Sequence, residues 1–197
     1  MWPLAVSLRQ QGYVVVNVDY PSRKHPVETL ARSVIPPAVA ELRRHGVDTI
    51  HFVTHSMGGI LLRYFLTIEP VPELGRVVML CPPNQGSELV DYFRGFWWFR
   101  WFFGPAGCQL GTTATDLPQL LGLLPCPLGI LTGNRAAIGL FSPLFPGAND
   151  GKVSVAKAQL PGMTDFLTLP YDHSFFMFHR PVQEQVVNFL ANGRFRR

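Results

Sequence analysis

Apolar and polar positions fall along the chain in blocks that predict short helices and strands in turn. Residues 3–11 place Leu4, Leu8 and Gln11 on one side of a helix, with Pro3 in its first turn and Gly12 closing it. The next stretch, GYVVVNVDY, predicts a strand at 13–18, and its β-branched run suits a strand buried on both faces of a parallel sheet. Residues 27–45 predict a helix interrupted at Pro36-Pro37, ending in Arg43-Arg44 with Gly46 just beyond. TIHFVTH, 49–55, predicts a strand, and MGGILLRYFL, 57–66, a helix apolar nearly all round and therefore buried. Further strands are expected at 76–81, 126–133 and 165–169. A closing helix at 181–190 carries Val182, Val186, Phe189 and Leu190 at i, i+4, i+7 and i+8. Strands alternating with helices predict an α/β fold, a mostly parallel sheet with helices on both faces. Two connections, 82–125 and 134–164, are too long for simple loops, and excursions of that length are usually functional loops or caps. No internal repeat is present.

Composition narrows this picture. A length of 197 residues fits about one domain, taken here as 1–197. With 47% hydrophobic and 15% charged residues the chain is not a disordered tail. The net charge of +4 is mild, and Arg194, Arg196 and Arg197 contribute to it as a solvated C-terminal end. No nucleic-acid-binding motif accompanies them. The three cysteines, Cys81, Cys108 and Cys126, form neither a CxxC pair nor a zinc spacing, and read as buried thiols in a reducing compartment. Residues 1–8 lack the basic start and apolar length of a signal peptide, and no run of 18 apolar residues exists. A cytoplasmic location is the expectation.

The strongest chemical signal is Thr54-His55-Ser56-Met57-Gly58-Gly59, where an apolar strand turns directly into an apolar helix. A sharp strand-to-helix turn presents a serine hydroxyl clear of the sheet, and the new helix aims free N–H groups at a reacting oxygen. Residues two before and two after the serine must be small. Gly58 meets this, while Thr54 is bulkier than the glycine usual there. The segment resembles the α/β-hydrolase family, within it the lipase- and esterase-like members, and the likeness runs from helix 3–11 to the last helix. An ordinary surface serine in a strand–helix turn is the alternative.

The resemblance implies a nucleophile, an acid and a histidine in that chain order, with no metal and no cofactor. Ser56 is then the nucleophile, and the N–H of Met57 an oxyanion donor. His173, in LPYDHSFF after the last strand, lies where the family places its base; His25, His45, His51 and His179 read as structural. His55 abuts the nucleophile and is expected to pack at the substrate pocket. Asp150, in PGANDGKVSV, resembles the Asn-Asp-Gly-x-Val segment that carries the acid. Asp172 and Asp165 are its rivals, and a plain Asp-Gly turn is the other reading. PPNQGS, 82–87, resembles a lipase segment, with Ser87 read as a helix N-cap.

Residues 92–103, YFRGFWWFRWFF, are aromatic at nine of twelve positions. They lie in the 82–125 insertion, where the family builds its cap or lid. Phe96, Trp97, Trp98 and Trp101 are candidates for contact with an apolar acyl chain or a membrane surface, with pure packing as the alternative. The expected activity is hydrolysis of apolar or lipid-like carboxylic esters through an acyl-enzyme. A catalytically inactive hydrolase-fold protein that binds a lipid or a partner is the competing reading. It draws on the N-terminus, where the family strand and oxyanion loop that precede helix 3–11 are missing, so a truncated start is expected. Natural ester, acyl-chain length, acceptor and oligomeric state are not legible.

Overall fold

The computed structural model describes residues 1–136 and 139–197. Helix α1 (Trp2–Gln10) carries Pro3 in its first turn and stops just before Gly12, which takes a φ of +87°. Helix α2 (Val27–Arg44) follows, then strand β1 (Ile50–His55), helix α3 (Met57–Ile68) and strand β2 (Leu74–Leu80). The stretch 82–125 holds three helices, α4 (Glu88–Phe93), α5 (Trp97–Cys108) and α6 (Leu117–Leu120). Strand β3 (Leu128–Gly133), helix α7 (Val155–Ala158), strand β4 (Asp165–Leu169) and helix α8 (Arg180–Asn192) complete the chain.

The four strands form one parallel sheet in the order β1-β2-β3-β4. Each step moves the same way across the sheet, and right-handed crossovers therefore place all three connections on one face. Side chains alternate accordingly along β2. Val77 and Met79 join Leu128, Ile130 and Leu62 of α3 on that face. Val78 and Leu80 meet Leu4 and Leu8 of α1 and Val182, Val186 and Phe189 of α8 on the other. The spacing read along 181–190 thus faces the core, and Gly193, at a φ of +74°, ends α8.

Two local expectations are overturned. Residues 13–18 form no strand: the bonds of this stretch are local, from Tyr13 N–H to the Leu8 carbonyl and from Arg9 to the Val15 carbonyl. Between 13–18 and β1 lie two cavities of about 310 and 290 Å³, one walled by Tyr13, Val15, His51 and Val53, the other by Val16, Val18, Phe52 and Thr54. β-Branched residues favour a strand, but a ladder needs a neighbour about 4.8 Å away, and β1 stands across the cavities instead. Helix α2 runs through Pro36-Pro37 without interruption. The two carbonyls that lose their N–H partners there belong to the exposed Arg32 and Ser33, where water can bond them.

Candidate active site

β1 ends at His55, and α3 begins at Met57, so the whole turn is made at Ser56. Ser56 takes φ 52°, ψ −126°, a strained conformation for a residue with a Cβ. Its N–H bonds the Leu80 carbonyl of β2 at 2.8 Å, which fixes the turn to the neighbouring strand. Small residues are needed where the chain folds back. A Cβ on Gly58 would lie 3.5 Å from Thr54 Cβ, ordinary contact, so threonine fits at 54. Gly59 is tighter, with Met79 Sδ at 3.2 Å and Pro82 Cβ and Thr54 Oγ1 at 3.4 Å.

The turn brings Ser56 to two residues more than ninety positions away. Ser56 Oγ lies 2.8 Å from His173 Nε2, and His173 Nδ1 lies 2.8 Å from Asp150 Oδ2. A carboxylate only accepts, so Nδ1 carries the ring proton and Nε2 accepts from the serine hydroxyl. Asp150 is 1% and His173 3% exposed. The two are also joined through the main chain, His173 N–H to the Asp150 carbonyl at 3.0 Å. Asp150 Oδ1 accepts from the N–H groups of Lys152 and Val153 at 2.9 and 2.8 Å. The Asp-Gly turn and the histidine contact are therefore both present, one on each oxygen. Burial pushes the Asp150 carboxyl up, but the His173 ring and the two N–H donors outweigh it and hold it below the usual range.

His55 lines the cavity of about 290 Å³ and is also tied to the loop that carries His173. Its Nε2 donates to the His173 carbonyl at 2.9 Å, and the two rings lie 5.1 Å apart. Burial first, then the His173 ring beside it, push the His55 pKa down to about 3. It stays neutral at ordinary pH and pins the loop that carries His173. Of the other histidines, His25 is exposed and three are engaged elsewhere. His51 Nδ1 accepts from Arg76 N–H, His179 stacks on Tyr171 at 3.7 Å, and His45 lies beside Glu41. Asp172 caps the following turn through Ser174 and Phe175 N–H, and Asp165 binds Phe195 N–H and Arg197. Neither rival reaches His173.

Met57 opens α3, so its N–H is among those the helix leaves unpaired at its start. Ser87 stands at the start of α4, but its hydroxyl bonds the Lys152 carbonyl at 2.6 Å rather than capping the helix. It thereby ties the 82–87 stretch to the Asp150 turn. The aromatic residues at 96–103 divide by exposure. Trp97 and Trp101 are 79% and 75% exposed, Phe96 and Trp98 stack on each other, and Phe99 alone is fully buried. No ring contact among the described residues joins them to His55 or His173.

Sequence reasoning missed two neighbours. Arg63, on the apolar helix α3, is buried and donates to the carbonyls of Asn84, Pro118 and Leu121 at 2.7, 3.1 and 2.7 Å. It fastens the 82–125 stretch to the helix that follows Ser56. A lone arginine in an apolar run was the available signal. Cys81, just past β2, has a φ of +49° and is fully buried beside Asp150 and His173. Nothing in its spacing marks it.

A profile of the alpha/beta hydrolase family matches residues 1–187. No curated protein sequence matches the chain. Among solved structures, the chain is similar to a phospholipase from Legionella pneumophila (TM-score 0.66, 21% identity, 87% of this chain and 49% of that one). A metagenomic carboxyl esterase gives a TM-score of 0.65 at 24% identity, over 86% of this chain and 57% of that one. The mature lipase of Bacillus licheniformis gives 0.62 at 22%, over 83% and 76%. The chain thus spans about half the length of the first two. Among the described residues no helix is long and apolar enough to cross a membrane.

Proposed function

Because the chain belongs to the alpha/beta hydrolase family, we propose that it is a serine hydrolase cleaving carboxylic esters with apolar, lipid-like acyl groups. The observation that carries this reading is the hydrogen-bonded line from Ser56 Oγ through His173 to Asp150 Oδ2. His173 Nε2 takes the Ser56 proton as Oγ attacks the acyl carbonyl, and Asp150 steadies the imidazolium that forms. Met57 N–H donates to the oxyanion. The ring then returns its proton to the leaving alcohol, and water releases the acid from the acyl-serine. No metal or cofactor takes part.

An apolar substrate is supported by the same cavity of about 290 Å³ between 13–18 and β1, which is lined by Phe52, Leu61 and Leu62 and reaches His55 and Gly58 on either side of Ser56. The similar folds carry the names lipase, phospholipase and carboxyl esterase, which agrees with an ester substrate. Phe96, Trp97, Trp98 and Trp101 then serve as the apolar approach for the acyl chain, and the same face meets a lipid surface.

A fluorophosphonate probe tests the assignment. Wild-type protein should be labelled and should hydrolyse p-nitrophenyl esters, and Ser56→Ala should lose both. Labelling that survives in Ser56→Ala removes the nucleophile assignment. A folded wild-type chain that neither labels nor hydrolyses favours the binding-module reading.

A further inference from the structure

We propose that Cys81, Asp150 and His173 form an inhibitory site for a zinc-like divalent cation. The inference rests on the reading of His173 as the base. The Cys81 Sγ, one carboxylate oxygen of Asp150 and one ring nitrogen of His173 all lie within 4.8 Å of one another. A thiol, an imidazole and a carboxylate are the donor types that zinc takes, at about 2.0–2.3 Å each in a tetrahedral arrangement. Ligation therefore replaces the 2.8 Å hydrogen bond between His173 Nδ1 and Asp150 Oδ2 by an ion bridging the two atoms, which part slightly to admit it, with Cys81 Sγ as the third donor.

The placement follows from the fold. β2 ends at Leu80, and the left-handed conformation of Cys81 turns the chain at the rim of the sheet. Asp150 comes from the turn held by Lys152 and Val153 N–H, and His173 from the loop after β4. Three separate carboxyl-end loops thus supply one donor each. Together a thiolate and a carboxylate offset the charge of a divalent ion, while the imidazole binds as the neutral ring.

The chemistry of inhibition is a change of tautomer. In the resting site Nδ1 carries the ring proton, and Nε2 is free to accept from Ser56. A cation bound at Nδ1 takes that lone pair, so the ring proton moves to Nε2. The Cys81 thiol loses its proton to solvent as the metal–sulfur bond forms. No electrons are exchanged. With Nε2 protonated, the ring cannot take the Ser56 proton, and acylation stops although every residue remains present. All three donors are buried, so the ion reaches them only when a covering loop opens, and onset is slow.

The test uses the intact chain in a Cys108→Ser, Cys126→Ser background, so that Cys81 is the sole thiol. Fluorophosphonate labelling without metal, present in this background and lost in its His173→Ala variant, establishes the base assignment on its own. Preincubation with zinc should then suppress labelling progressively, and EDTA should restore it. Cys81→Ala and Cys81→Ser, each scaled to its own zinc-free rate, should need at least about tenfold more zinc. Cobalt added to the Cys81 protein should give a thiolate charge-transfer band that Cys81→Ala lacks, a readout independent of activity. Equal zinc sensitivity in the Cys81 variants, or no cobalt band, overturns the site. A cobalt band in a chain that never labels keeps the metal site and overturns the triad reading instead.

Discussion

Gly58 and Gly59 stand side by side at the start of α3, yet their surroundings differ. A Cβ at 58 meets Thr54 at van der Waals distance, whereas one at 59 presses Met79, Pro82 and Thr54 together. Gly58→Ala should therefore leave the melting temperature unchanged or slightly raised, since alanine favours a helix. Gly59→Ala should lower it, by the equivalent of about 1–3 kcal/mol for overpacking. A differential scanning trace of both variants checks the order. The sequence rule of a small residue two after the serine named Gly58, but the crowding is greatest one residue later. That depends on the neighbouring strand, which local spacing does not describe. Asp150 is the second case. Its two oxygens do separate work, so Asp150→Asn can keep an acceptor for Lys152 and Val153 N–H while losing the anion facing His173. The expected outcome is a protein of near wild-type fold by circular dichroism with kcat for ester hydrolysis down by about 10⁴.

At the scale of elements, β1, α3, β2, β3, β4 and α8 were legible because each carries its own periodicity between clear breaks. The failures share a cause. The Val14-Val15-Val16 run has strand propensity, but pairing is a property of two segments, and across the cavities it has no partner. Pro36 and Pro37 are helix breakers by rule, but the bonds they remove fall on exposed residues of an 18-residue helix packed against α3. Helix α5 shows the same limit. Its aromatic run reads as a cap, and its burial pattern divides it. Phe99 is fully buried, while Trp97 and Trp101, one turn apart, face outward. Gly104 breaks the helix with a φ of +69°, at a place where a Cβ would lie 2.2 Å from the Arg23 carbonyl oxygen. If the outward face receives acyl chains, changing Trp97, Trp98 and Trp101 to Ala should reduce turnover of long-chain esters more than of acetate esters. Equal losses on both would assign the tryptophans to packing alone.

At the scale of the whole molecule, the site is an assembly of strand ends. The serine turn was readable from a few adjacent residues, and the chain order of acid and histidine followed from the family likeness. The contacts behind them were not readable, because His55, Cys81 and Arg63 reach their partners only once the sheet has formed. One of those contacts governs how the fold responds to acid. His55 ionises near 6.5 when exposed, and in the folded chain only at about 3. Between those values the unfolded chain binds a proton that the native state refuses. The stability this group allows is therefore complete above about pH 6.5 and falls by about 1.4 kcal/mol for each unit below it, down to about pH 3. Asp150 acts in the same direction but lower, since its depressed pKa places its loss below the usual carboxylate range. His55→Gln keeps an N–H that can reach the His173 carbonyl and removes the titrating ring. His51, whose pKa is also lowered by burial, is common to both proteins and cancels in the comparison. Urea unfolding at pH 6.5 and 4.5 should show the wild type losing roughly 2 kcal/mol more than His55→Gln over that interval. Parallel losses in the two proteins would mean that His55 is not held neutral against His173.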